Sequence, residues 1–150
     1  IQQVTGGLSW KEGNVDMLTS LSATLGKPDY REVIVEDLNP SPIFQKFLGD
    51  AASSVCQEMI QREIEDPYAE RHLLIHVEPD DDLAQLAEGL DANLIELQRR
   101  FHGKALTSET PEMVHWRWLV TSIATGTQDP NRGWRAACVA LMTHPEFYTY

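Results

Sequence analysis

The chain is short of positive charge. Its 150 residues carry 12 Lys and Arg against 23 Asp and Glu, a formal net charge of −11. Phosphate affinity needs clustered Lys and Arg, so nucleic acid is excluded as an expected partner, and docking on anionic lipid is disfavoured on the same ground. Long apolar runs are missing too; none approaches the roughly 18 residues that would suggest a spanning helix. Internal repeats and low-complexity tracts are absent. With 42% apolar and 23% charged residues, the composition is that of a folded chain. A chain of this length supports one core, whereas two separate domains would each be small and marginal.

Catalytic signatures are equally scarce. There is no G-x-S-x-G elbow, no HExxH, and no P-loop, since Gly6-Gly7 lacks the surrounding spacing and the Lys. Carboxylates abound, but no pair is marked out from its neighbours. Cysteine is limited to Cys56 and Cys138, which form neither a CxxC nor a Cys/His cluster, and without CxxCH a c-type haem has no ordinary attachment point. No particular cofactor is indicated. The sequence opens on Ile1 rather than Met, which is the expectation for a processed chain or a piece of a longer one.

What is present reads as helix. Residues 1–13, with Gly6, Gly7 and Gly13, form an irregular arm. Asn14 reads as the cap of a helix carrying Val15, Leu18, Leu21 and Leu25, ended by Gly26 and Pro28. The β-like run Val33-Ile34-Val35 is too short to found a sheet. A long helix is expected from the Ser41 cap and Pro42 to Asp66-Pro67, with Phe44, Phe47, Leu48, Ala51, Ala52, Val55, Cys56, Met59 and Ile60 as its apolar stripe. Leu73, Leu74 and Val77 suit the buried side of a short helix, a strand being the rival reading. Asp80-Asp81-Asp82 would cap a helix running from Leu83 to Phe101 and Gly103, with Gly89 marking a bend. Thr110-Pro111-Glu112 opens the next, through Val114, Trp118, Leu119, Val120 and Ile123. A tight Gln128–Asn131 loop leads into the last, with Trp134, Ala137, Cys138, Leu141 and Met142 inward. Pro145 ends it, and the tail Phe147, Tyr148, Tyr150 folds back. The expected architecture is a single all-α bundle of about five or six helices with short connections.

His72 and His76 stand four apart, which on a helix places both imidazoles on one face; with Glu78, or the Asp80–Asp82 run, they are the candidate ligands for Zn, Cu or Ni. Two solvated histidines beside buried leucines are the plainer alternative. Asp129-x-Asn131-x-Gly133 faintly resembles a calcium loop, but capping explains it more simply because Ala140 stands where a bidentate Glu is needed. Cys56 and Cys138 both lie on inward faces of helices that share one core. A disulfide is the favoured reading, two buried thiols the other, and oxidation fits an exported chain.

Charge is unevenly spread. Residues 58–96 hold twelve acids against Arg62 and Arg71, whereas 99–135 hold six bases against three acids. Glu63, Glu65, Glu70, Asp80, Asp81 and Asp82 are therefore the candidate surface for a basic protein partner. Trp116 and Trp118 fall on different sides of one helix, and Trp116 is the candidate interface anchor.

From Leu94 to Tyr150 the chain resembles helical segments of large exported bacterial proteins of uncharacterised function. The likeness is carried by Arg100, Phe101, Gly103, Leu106, Trp118, Leu119, Leu141, Thr143, Pro145, Glu146 and Phe147. Those proteins often accompany c-type cytochrome modules. The resemblance implies a helical fold, a periplasmic or cell-surface setting and a basic electron carrier as a partner, and no catalytic residue. The expected role is a non-enzymatic subunit of an exported assembly, with metal binding by His72 and His76 as the alternative.

Overall fold

Proline and aspartate punctuate the chain where its helices stop. The computed structural model describes residues 1–21, 42–83 and 85–148. The anticipated helix end at Gly26 and Pro28, the Val33–Val35 run, the Ser41 cap and Tyr150 lie outside them. The elements are β1 (Lys11–Glu12), β2 (Val15–Asp16), α1 (Met17–Leu21), α2 (Pro42–Glu65), α3 (Ala87–His102), α4 (Glu112–Thr127), α5 (Pro130–Thr143) and α6 (Pro145–Tyr148). The fold is all-α with a short N-terminal arm. No helix among the described residues is long and apolar enough to cross a membrane.

The arm is less irregular than expected. Gly13, at φ +59°, and Asn14 turn β1 back onto β2, so Asn14 sits in a hairpin rather than capping a helix. Asp16 takes the capping role, its Oδ1 accepting the Thr19 N–H at 2.9 Å. Trp10 is buried and meets the Phe47 ring edge-on, which ties the arm to the start of α2.

α5 is the central helix, packed on α2 along one side and on α4 along another. Its Trp134, Ala137, Cys138, Leu141 and Met142 are all buried, as the 3- and 4-residue spacing requires. The α4–α5 connection is tight because Asp129 accepts the Asn131 N–H at 3.0 Å and Pro130 occupies the first turn. α4 and α5 approach closely at Gly133, where a Cβ would fall 2.5 Å from the Val120 carbonyl oxygen. Cys56 and Cys138 are disulfide-bonded, 82 residues apart in sequence, with Cα atoms 5.9 Å apart. Gly103, at φ +66°, ends α3 by donating its N–H to the Arg99 carbonyl, and Lys104 donates to that of Gln98. Phe147 and Tyr148 fold back on Phe101 and Phe44.

Three further expectations need correction. Residues 71–77 are neither helix nor strand, although Leu73, Leu74 and Val77 are buried as foreseen. Their main-chain groups bond to side chains instead of to one another. Glu63 accepts the N–H groups of His72 and Leu73 on Oε1 (2.8 and 2.9 Å) and that of Leu74 on Oε2 (2.7 Å). Asn93 Oδ1 accepts from Ile75 and His76, and its Nδ2 donates to the Leu73 carbonyl. Arg71 Nη1 donates to the carbonyls of Leu74 and Val77.

Second, α3 starts at Ala87, not beside the aspartates. Leu86 has non-helical φ −105° and ψ 49°, which separates α3 from a turn closed by the Gln85 and Leu86 N–H groups on the Asp82 carbonyl. Third, α4 turns Met113, Trp116, Val120 and Ala124 inward. That register leaves Val114 and Trp118 60% and 68% exposed, so Trp118 rather than Trp116 is the surface tryptophan.

Arg117 clamps α4 to α3 through a two-pronged pair with Asp91, at 2.5 and 2.7 Å. Those hydrogen bonds hold the Asp91 carboxyl below its ordinary range despite partial burial. A depressed folded-state pKa means the stabilisation is complete above the unfolded value of about 3.9 and is lost as pH falls through the folded one. Asp91→Asn should therefore flatten the acid limb of stability against pH, by on the order of 1 kcal/mol. Urea midpoints between pH 2 and 6 measure it, and parallel profiles for the two proteins would refute the assignment.

Candidate functional site

An open groove of about 880 Å³ runs between the C-terminal half of α2 and the outer side of α5. α2 supplies Gln57, Ile60, Gln61, Ile64 and Glu65; α4 contributes Ile123; Asp129 closes one end; α5 supplies Asn131, Arg132, Arg135, Ala136, Val139 and Ala140. Its two main walls are the helices that the disulfide joins. Ile64 remains 43% exposed, a large aliphatic side chain on a wall open to solvent. Arg135 Nη2 donates to Ser53 Oγ at 3.1 Å across the helix pair. Arg135 Nε and Asn131 Oδ1, on the same wall, are buried without a hydrogen-bond partner among the described residues. On the α2 side Glu58, Glu65 and Asp66 are exposed.

The sequence-derived interface residues divide. Glu65, Glu70, Asp80 and Asp82 are exposed and Asp81 is half-buried. Glu63 is 3% exposed and committed to the backbone of 72–74, and Trp116 is buried, so neither can meet a partner. Among the flanking acids Glu78 pairs with Arg71, and Glu96 with Arg99 and Arg100. These bonds hold the Glu78 and Glu96 carboxyls below the usual range.

The proposed His72–His76–Glu78 ligand set is not brought together. Without a helix at 71–77 the four-residue spacing no longer places the two rings on one face. The His72 side chain is 13% exposed, with Nδ1 3.2 Å from Arg100 Nη1, while His76 is exposed and Glu78 is held by Arg71.

A different set converges at the C-terminal ends of α3 and α5. His102, on the last turn of α3, His144, just after α5, and Glu146, on α6, each place a ligand atom within 4.8 Å of the others. His102 Nδ1 and His144 Nδ1 lie 3.5 and 3.6 Å from Glu146 Oε2. The His102 side chain is 1% exposed, its ring 6.3 Å from that of Trp116. Burial pushes its pKa down, against the opposing effect of a hydrogen bond from Nε2 to the Leu141 carbonyl at 2.9 Å. Lys104 Nζ sits 2.7 Å from both Glu146 Oε2 and Glu112 Oε1, which raises the Lys104 pKa and lowers that of Glu146.

Comparison of the chain with family models, curated proteins and solved structures finds no match. The functional reading therefore rests on the geometry. Only the His144-Pro145-Glu146 tripeptide could have flagged the second cluster in sequence, because His102 is delivered to it by tertiary packing.

Proposed function

We propose that this domain is a non-catalytic interaction module of a larger exported assembly, periplasmic or at the cell surface, and that the α2–α5 groove receives an amphipathic helix of a partner protein. The observation that carries this reading is the groove itself, with Ile60, Ile64, Ile123 and Val139 lining an open channel between two disulfide-linked helices. Apolar side chains at helical spacing on a partner would seat there. Of the exposed acids near the end of α2, Glu65 lines the groove, while Glu58 and Asp66 stand outside it and offer charge to basic residues flanking the partner helix. A basic electron carrier, the partner class implied by the resemblance of Leu94–Tyr150, has the matching charge.

The test is site-specific photo-crosslinking at Ile64, with Trp118 as a control on another surface, in extracts of the native source. A single product specific to Ile64, abolished by Ile64→Glu in the purified pair, is expected. Charge reversal of Glu58, Glu65 and Asp66 to Lys should slow association about tenfold or more at low salt and little at high salt. The same products from Trp118, or an association rate indifferent to the three reversals, would overturn the reading.

A further inference from the structure

We propose that His102, His144 and Glu146 form a binding site for one divalent transition-metal ion of the zinc class. Imidazole nitrogen with carboxylate oxygen is the donor set such ions take. Bonds of about 2.0–2.1 Å to a tetrahedral ion put neighbouring ligand atoms about 3.3–3.4 Å apart. The two histidine-to-Glu146 separations, 3.5 and 3.6 Å, already lie within a few tenths of that edge. The remaining pair is within 4.8 Å; the His144 side chain is 42% exposed, its ring lies 5.1 Å from that of His102, and its Nδ1 accepts the Glu146 N–H at 3.3 Å, a bond that coordination would replace.

The hydrogen bonding around His102 points the same way independently. A carbonyl oxygen only accepts, so the contact with Leu141 requires a proton on Nε2. In the neutral ring Nδ1 then presents its lone pair. That lone pair faces Gln98 Oε1 at 3.0 Å and Glu146 Oε2 at 3.5 Å, both acceptors. Gln98 Nε2, meanwhile, is buried with no partner among the described residues. Acceptors converging beside the buried His102 ring are stabilised by a cation placed among them, and an imidazole whose outer N–H is fixed by a backbone carbonyl is the usual orientation of a histidine ligand. Glu146 and His144 lie at the surface, so the fourth coordination position opens to water.

Lys104 is the competing cation. It touches Glu146 Oε2 but also holds Glu112, so it retains a carboxylate when Glu146 turns to the metal. Its charge weakens metal binding, which supplies a variant with the opposite sign from the ligand losses. The cysteines are joined to each other and offer no thiolate.

The test is titration of the intact, disulfide-bonded chain with Zn²⁺ by calorimetry, with Co²⁺ as a spectroscopic probe. One equivalent of Zn²⁺ should bind and raise the thermal midpoint, and Co²⁺ should give the visible bands of a four-coordinate site. His144→Ala and Glu146→Gln, both at surface positions, should each weaken binding tenfold or more, whereas Lys104→Met should tighten it several-fold. His102→Ala is secondary, because its buried ring also supports the fold. The proposal is overturned if Zn²⁺ binding does not saturate near one equivalent, which would mean that Gln98 simply turns its amide nitrogen toward Nδ1. It is equally overturned if His144→Ala and Glu146→Gln bind normally while His72→Ala/His76→Ala does not.

Discussion

Opening the Cys56–Cys138 bridge is expected to destabilise the domain by about 4–5 kcal/mol, the chain-entropy value for a loop of this length. The bridge spans 82 residues and joins α2 to α5, the two helices that border the groove. Its removal frees the unfolded chain far more than it disturbs the folded one. Domains of this size are commonly stable by about 5–15 kcal/mol in all, so the reduced protein should be close to marginal. Both cysteines are fully buried, so a thiol reductant reaches them only through opening of the α2–α5 interface. Reduction under native conditions should therefore be slow and should accelerate steeply in sub-denaturing urea. Cys56→Ala/Cys138→Ala, unfolded in urea beside the oxidised wild type, measures the effect. A difference under about 1 kcal/mol would show that helix packing alone sets the α2–α5 spacing. The variant also bears on function: a groove walled by the two bridged helices should bind its partner more weakly once α2 and α5 are uncoupled.

How much of this could be read in advance differs from element to element. Pro42, Asp66-Pro67, Gly103 and Pro145 act on their own neighbours through fixed φ, a missing N–H or a left-handed turn, and the helix ends they imply are found where expected, whereas α5 starts at Pro130, inside the expected loop. The disulfide was legible because two long inward faces must share one core. Residues 71–77 were not. Leu73, Leu74 and Val77 have the same apolar pattern in a helix, a strand or a bend, and the choice is made by Glu63 and Asn93, which reach them from α2 and α3. The tryptophans of α4 turned on a register shift of two residues, which spacing alone does not resolve when Val114 and Trp118 make an equally apolar stripe. The site at His102, His144 and Glu146 was hidden for the same reason as the 71–77 segment. Its members meet only because α6 folds back over the end of α3.

The second large effect is expected at Glu63. This carboxylate is 3% exposed and accepts three main-chain N–H groups from one short segment, so it does for residues 72–74 what a neighbouring strand would otherwise do. Removing it leaves buried donors unpaired, at about 1–3 kcal/mol each, only partly recovered as the segment relaxes toward water. Glu63→Ala should cost about 3–5 kcal/mol, in the upper tail of single substitutions. Glu63→Gln keeps the shape but turns a donor toward one of the N–H groups, and should cost about 2–3 kcal/mol. Asn93→Ala attacks the same segment from α3. Since either loss frees residues 71–77, the double variant Glu63→Ala/Asn93→Ala should cost clearly less than the two singles together. Urea unfolding gives the energies, and amide exchange at Leu73, Leu74 and His76 should quicken selectively. Full additivity, or a Glu63→Gln protein as stable as wild type, would contradict the clamp. Position 63 thereby separates two roles that net charge alone confuses. Replacing Glu58, Glu65 or Asp66 alters the field a partner meets, whereas replacing Glu63 loosens the segment beneath it, and a binding defect at Glu63 would report unfolding rather than recognition.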